Sequence, residues 1–484
     1  MRRYLSVVSF LVFAVALTTY TLVTGCGGSL MSPKSAGSAV PMTLTIGDTP
    51  PNGVAVVFFE AMITGVSLQP SDASKSAVSV LATPTEVEMS HLQTDRAFLS
   101  LTKVPPDTYS SMTMTFSNAA LTIVNHSGAA VGSCANNTTC ELSPSFNPSM
   151  ATVTAAPFPV TISANSAVGV RLDFDVNSSV QTDLSISPAV TVKKVTVKRE
   201  DEDEDEMEEL DDIDGQVSAV GTNQFTLTNE RTGQSFTISV DSNTVFEDFG
   251  ASGCTASPAN FSCIQQGQVL SVDLSENGMG TMLAKRVELE ESANGKAIKG
   301  TITSVDSTTQ FHMVVFNEEP AVSGAAEGSP VIVTIASGAT FQIGRQEMGE
   351  DGGFSIGGAS FASGADLMVG QDVQIRPGTV STSGSVTTIT TDLVRLRPSQ
   401  ITGQVGTNSG NGSFTLTGLS PLFTGATPPV TTINVVTLSD AEMEDFSGTM
   451  APTTGNTVSV RGLLFNTPTT ATLVTRMIRE DNPD

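Results

Sequence analysis

One pattern occurs three times in the C-terminal half of this chain. Such a repeat constrains the fold strongly, because each copy must be one supersecondary unit that buries a face of its own. Gly215-Gln216-Val217-Ser218-Ala219-Val220, followed by Phe225-Thr226-Leu227, returns as Gly300-Thr301-Ile302-Thr303-Ser304-Val305 with Phe311. It returns again as Gly403-Gln404-Val405 with Phe414-Thr415-Leu416. Each copy also closes alike, from Gly267-Gln268-Val269 to Lys285-Arg286-Val287-Glu288-Leu289, from Gly370-Gln371-Asp372-Val373 to Leu393-Val394-Arg395-Leu396, and from Gly455-Asn456-Thr457-Val458 to Leu473-Val474-Thr475-Arg476-Met477-Ile478. Between opening and close lie Phe236-Thr237-Ile238-Ser239-Val240, Val331-Ile332-Val333-Thr334-Ile335 and Thr432-Ile433-Asn434-Val435-Val436. The period-two alternation predicts strands, and Asn277-Gly278 predicts a hairpin in the first copy. Three small β-barrel repeats are expected, over 213–292, 297–398 and 400–481. In the third, Ser439 to Phe446 is expected to form a short helix where the first copy has Thr244 to Phe249.

The N-terminal half alternates in the same way. Val54, Val56 and Phe58, then Val66 and Leu68, then Met112, Met114 and Phe116, then Val170, Leu172, Phe174 and Val176 stand between Pro, Gly, Asn and Asp punctuation. One buried and one wet face per strand implies an antiparallel β-sandwich over 42–197, so the fold class is all-β throughout. Tyr109 resembles the corner tyrosine that pins a sandwich loop through its hydroxyl.

Several loose motifs in this half fall in a telling order: Gly47-Asp48-Thr49-Pro50, Ile63-Thr64-Gly65-Val66, Val104-Pro105-Pro106-Asp107-Thr108-Tyr109 and Leu172-Asp173-Phe174-Asp175 with Ser179-Val180. In these the segment from Pro41 to about Val197 resembles domain-of-unknown-function family 4382. The three repeats resemble domain-of-unknown-function family 5666, and their strand order suits a barrel of the oligonucleotide-binding-fold kind. The resemblances imply an extracytoplasmic β-sandwich on a lipoprotein and no activity.

The very N-terminus reads as an address. Arg2 and Arg3 precede an uncharged apolar run from Tyr4 to Val23, the order of an export signal. Val23-Thr24-Gly25-Cys26 then resembles a bacterial lipobox, which implies a signal over 1–25, lipidation at Cys26 and a membrane partner through the lipid. An uncleaved transmembrane anchor is the alternative. Residues 26–41, rich in Gly, Ser and Pro, read as a flexible tether. The body is placed outside the cytoplasm, at the outer membrane or cell surface of a bacterial envelope. The remaining cysteines form two close pairs, Cys134 with Cys140 and Cys254 with Cys263, which in an oxidising compartment read as local disulfides. Neither spacing suits zinc, and the three histidines, His91, His126 and His312, do not fall at metal-ligand spacing.

The formal net charge is -26, and 11 of the 49 carboxylates fall within residues 200–212, where no Lys or Arg stands. Such a block stays extended and solvated, so 198–212 reads as an acidic linker. A chain so acidic repels phosphates, which argues against nucleic-acid partners even for barrels of this kind.

Candidate chemistry is sparse. Gly353-Phe354-Ser355-Ile356-Gly357 fits the nucleophile-elbow string, but it lies in a Gly-rich insertion and no histidine follows His312. Asp173, Asp175 and Asn177 have the every-second spacing of calcium loops. Ser178 stands where that loop needs Gly and Leu184 where it needs Glu, so a solvated strand face is the favoured reading and calcium the lesser one. Lys285 with Arg286, Arg395 and Arg476 occupy matching places in the repeats and are expected to offset nearby carboxylates. The expected function is a non-catalytic envelope lipoprotein without a cofactor, serving binding, adhesion or assembly, with a protein or polysaccharide partner. Sandwich loops and the Gly344–Gly364 insertion are the expected contacts. A small-ligand or divalent-cation binding protein is the alternative.

Overall fold

A computed structural model describes residues 40–49, 54–94, 97–164, 168–195, 208–229, 233–249, 253–276, 282–291, 295–343, 359–410, 412–444, 446, 451–467 and 470–480. They belong to one compact unit, Ser38–Asp484. The signal, Cys26, most of the tether, Ser355, Asn277-Gly278 and residues 344–358 of the insertion lie outside the described residues.

The sandwich holds two sheets. One runs in the order Val190–Val195, Val168–Asp175, Val40–Thr49, Ala97–Val104. The other is built on the long antiparallel pair Ala55–Pro70 and Asp107–Asn125, with five short strands along its flanks. Val40–Thr49 runs parallel to Val168–Asp175, so the sandwich is not antiparallel throughout. Its core sets Phe59, Phe116, Phe174 and Leu172 among the methionines Met112 and Met114. The Tyr109 ring is buried, and its hydroxyl donates to the Pro105 carbonyl at 2.7 Å, as expected of a corner tyrosine. A bulge between Val56 and Phe58 changes the parity of that strand. Val56 therefore stays with the sandwich core, while Phe58 turns to a second apolar cluster with Val314 and Leu422 of the repeats.

The repeats are barrels. The second closes through Ala297–Ser307, Gln310–Glu319, Pro330–Ile343, Val386–Arg397 and Asp372–Ser383. The third closes in the same order through Ser399–Asn408, Ser413–Thr417, Ile433–Glu444, Ala471–Glu480 and Thr457–Phe465. In both, the third strand runs parallel to the last strand of the repeat in sequence, Val386–Arg397 or Ala471–Glu480. The first barrel splits its third strand into Ser235–Ser239 and Val245–Glu247, both parallel to Met282–Glu291. The helix expected from Ser439 is thus replaced by strand through Glu444, because the third strand resumes its parallel pairing at Glu442 to Glu444. The expected linker is also shorter than its charge suggests. The first barrel's opening strand begins at Glu208, inside the acidic run, and buries Leu210 opposite Leu274.

The repeated glycines have two separate causes. Gly267, Gly370 and Gly455 have φ of 86°, 80° and 95°, the left-handed region that glycine enters without strain. Each donates its N–H to the opening strand, at Val217, Ile302 and Val405. Gly215, Gly300 and Gly403 instead lie under the second strand, where a Cβ would stand 2.9, 2.6 and 2.8 Å from the carbonyls of Thr228, Val314 and Thr417.

Candidate functional site

The polar groups of greatest chemical interest gather where domains meet. At the first junction the sandwich supplies Glu88, Ser90, His91 and Gln93, the second barrel Thr301 and Asp372, and the third barrel Gln400 and Thr402. All of these but Glu88 line a cleft of about 70 Å³ whose apolar wall includes Val57, Ile401, Leu422 and Phe423. That volume suits two or so water molecules. Glu88 ends a short strand and folds its carboxylate back onto the chain, accepting from the N–H groups of Phe59 at 3.2 Å, Ser90 at 2.9 Å and His91 at 3.1 Å. His91 Nδ1 lies 2.8 Å from Glu88 Oε2, and Nε2 lies 3.1 Å from Thr301 Oγ1. Thr301 donates to Asp372 Oδ1 at 2.6 Å, and the Asp372 N–H donates to Ser399 Oγ at 2.9 Å. The Phe316 ring lies against the imidazole, tilted by 33° with ring centroids 4.0 Å apart.

Two carboxylates flank the same histidine with opposite outcomes. Burial works to raise Glu88, but His91, Ser90 and the Phe59 amide outweigh it and hold the carboxyl below its ordinary value. Burial pushes Asp372 up to about 6, against the lowering influence of His91 and Thr301. The third barrel joins the cluster through Thr402, which donates to Gln93 Oε1 at 2.7 Å, and Gln400 Oε1, which accepts from the Thr94 N–H at 3.1 Å.

The second junction, between the first and second barrels, is ionic. Arg397 lies 3.0 Å from both Glu288 and Glu290, Arg395 lies 3.5 Å from each, and Lys299 reaches Asp214 at 2.8 Å. Burial works to raise the Glu288 carboxyl, with Arg397 and then Arg395 opposing it, and raises the neighbouring Glu291 to about 7. Strand register corrects the expected matching of cations. Glu288, Arg395 and Arg479 face Ser271, Gln374 and Ser459, which in turn pair with Asp214, Lys299 and Thr402. These two sets are the equivalent positions. Arg286 lies two residues earlier, near Asp273 and Glu247 at 3.9 Å, while Arg476 falls beside a bulge. Arg286 and Arg395 do offset carboxylates as expected, but Arg395 is buried between barrels. Arg479, the third equivalent, reaches the sandwich, at Asp173 Oδ2 (3.7 Å) and the Gln93 carbonyl (3.2 Å).

The remaining sequence candidates are dispersed. Both disulfides are present, Cys134–Cys140 and Cys254–Cys263. The strand holding Leu172 and Phe174 ends at Asp175, which caps a single helical turn by accepting from the Ser178 N–H at 2.9 Å. Asp173, Asp175 and Asn177 therefore do not share one strand face. Asp173 is raised by burial, with Arg479 and Lys193 opposing, and so is not simply solvated. Among the described residues no group of three His, Cys, Asp or Glu side chains is placed to hold a metal. His126 Nδ1 pairs with Asn137 and His312 with Asp306. Sequence reasoning placed His91 near carboxylates but missed Thr301 and Asp372, which lie more than two hundred residues away.

The class is set by these elements: a two-sheet sandwich carrying two closed five-stranded barrels and, as the first repeat, a six-stranded sheet brought round by the pairing of Ser235–Ser239 with Met282–Glu291. Residues 40–188 match the family model of a domain of unknown function, DUF4382, and residues 214–288 match that of another, DUF5666. Among solved structures the chain is similar to one described as drosophila Unr CSD456, at 10% identity, 56% of this chain, 97% of the other and a TM-score of 0.11. It is also similar to a multidomain protein with nucleic acid binding domains from Streptococcus pneumoniae TIGR4, at 8% identity, 55% and 71% coverage and a TM-score of 0.10. No curated protein matches.

Proposed function

We propose that the chain is a non-catalytic lipoprotein of the bacterial cell envelope, held to the membrane through Cys26, whose body serves as a binding, adhesion or assembly module. The observation that carries this reading is where the buried and half-buried ionisable groups lie. His91, Glu88 and Asp372 join the sandwich to the barrels, and Glu288, Glu290, Arg395 and Arg397 join barrel to barrel. Side chains that an enzyme would direct at substrate here fasten domains into a fixed scaffold. Two disulfides favour an oxidising compartment. Loops at the ends of such a scaffold are the natural contacts for a protein or polysaccharide.

The test is to express the full chain and its Cys26→Ser variant in a bacterial host. The unsubstituted protein should be processed, partition with membranes and, if displayed outward, react with an impermeant amine reagent on intact cells. Unchanged processing and attachment in the Cys26→Ser variant would defeat the lipid anchor.

A further inference from the structure

The chain of contacts from Glu88 through His91 and Thr301 to Asp372 can be read by counting protons. It has three links: His91 Nδ1 to Glu88 at 2.8 Å, His91 Nε2 to Thr301 Oγ1 at 3.1 Å, and Thr301 Oγ1 to Asp372 Oδ1 at 2.6 Å. Each link needs one proton between its two heavy atoms. An ionised carboxylate at each end, a neutral imidazole and one hydroxyl supply only two. We propose that this chain is a proton-dependent clasp: one additional proton, shared by His91 and Asp372 through the Thr301 hydroxyl, closes the contact between the sandwich and the second barrel.

Two arrangements place that proton. In the first, His91 is an imidazolium, donating from Nδ1 to Glu88 and from Nε2 to Thr301, while Thr301 donates to an ionised Asp372. In the second, the proton of His91 Nε2 has passed to Thr301 Oγ1 and the hydroxyl proton of Thr301 to Asp372. Asp372 then donates to Thr301, Thr301 donates to neutral His91, and Nδ1–H still donates to Glu88. Both contain the same protons, all three links are made in each, and no bond beyond these O–H and N–H bonds changes. Once the additional proton leaves, one link faces lone pair to lone pair. Thr301 retains its donor bond to Asp372 within its own barrel, so the link that fails is His91 to Thr301, which crosses the junction.

The surroundings fit such a site. Glu88 is committed to the ionised form by the three backbone N–H groups and His91, so it does not hold the additional proton. Asp372 is buried, and the charged groups facing it are His91 and Glu88 of the sandwich and Arg461 of the third barrel. Burial lifts its carboxyl from an ordinary 3.8 to about 6. A carboxyl raised on folding contributes stability that is complete below its unfolded value and is lost as pH rises through its folded value. The clasp is therefore closed in mild acid and loosens as pH climbs through about 6.

The experiment compares thermal melting of the full-length protein with its Asp372→Asn variant between pH 5 and 8, alongside ring nitrogen NMR of the three histidines, with His91 assigned from a His91→Gln sample. Asparagine cannot take up or release the additional proton, and it offers Thr301 either its amide N–H or its carbonyl oxygen at every pH. The clasp predicts that Asp372→Asn removes a share of the melting-temperature fall seen from pH 5 to 8, and that the pH at which its His91 ring loses the doubly protonated form differs from that in the unsubstituted protein. It also predicts, in the unsubstituted protein, a His91 ring that carries both N–H protons in part of the population at pH 5 and loses that form as pH rises. A pH profile identical in both proteins, or a His91 ring state indifferent to the substitution, overturns it. If Asp372→Asn does not fold, the unsubstituted spectrum still decides: a His91 ring with one N–H at every pH overturns the proposal.

Discussion

Single residues matter most in this protein where backbone crosses backbone. Gly300 sits beneath the second strand of its barrel with a prospective Cβ only 2.6 Å from the Val314 carbonyl. That neighbour is main chain in a paired strand and cannot swing aside. Gly300→Ala is therefore expected to lower the melting temperature, with a cost of about 1–3 kcal/mol from forced displacement. Thermal unfolding by circular dichroism checks it, and an Ala variant as stable as the parent would mean the strands move apart freely. The opening glycines were legible in the sequence as a repeated letter. Their reason was not, because close approach is a property of the partner strand. His91 was likewise visible only as a histidine near carboxylates; its link to Thr301 depends on how two domains dock, and no local pattern records that.

At the level of elements the sequence was more informative. Alternation located many of the strands, and the recurrence of opening and closing strands pointed to a run of β repeats, two of which close as five-stranded barrels, because a buried face imposes a period of two wherever it occurs. The failures have physical causes. Ser439 to Phe446 carries acidic residues that suit a helix, yet parallel pairing of Glu442 to Glu444 with the last strand keeps the chain extended through Glu444. The acidic run reads as solvated spacer, yet burial of Leu210 draws its end into a sheet. The loop staples are legible from close spacing together with an export signal. Cys134–Cys140 tethers the loop between the long strand Asp107–Asn125 and its neighbour Thr138–Leu142. Replacing both cysteines by serine should cost about 2 kcal/mol, the loop-closure value for so short a ring. Urea denaturation under oxidising conditions measures it, and a variant with unchanged midpoint would show that the hairpin holds without the staple.

Across the whole molecule, domains meet through charge and hydrogen bonds as well as through apolar surface. The contact between the first two barrels sets equivalent positions against one another with opposite sign, Asp214 against Lys299 and Glu288 against Arg395. Removing one partner from such a buried pair costs roughly 3–5 kcal/mol. Glu288→Arg should therefore destabilise by about that amount, and adding Arg395→Glu to the same chain should recover part of the loss. A double-mutant cycle from urea unfolding measures the coupling, and strictly additive single effects would show that the two side chains do not interact. None of this docking was readable beforehand, since the sequence presents the barrels as beads in a row and their contact faces are scattered over each copy. The reversal of sign also bears on how repeats of common pattern avoid one another. During synthesis the first barrel is complete before its partner, with Asp214, Glu288 and Glu290 still uncovered. Two such barrels on neighbouring nascent chains would bring carboxylate against carboxylate, so like units repel and each waits for the unlike unit that follows it on its own chain.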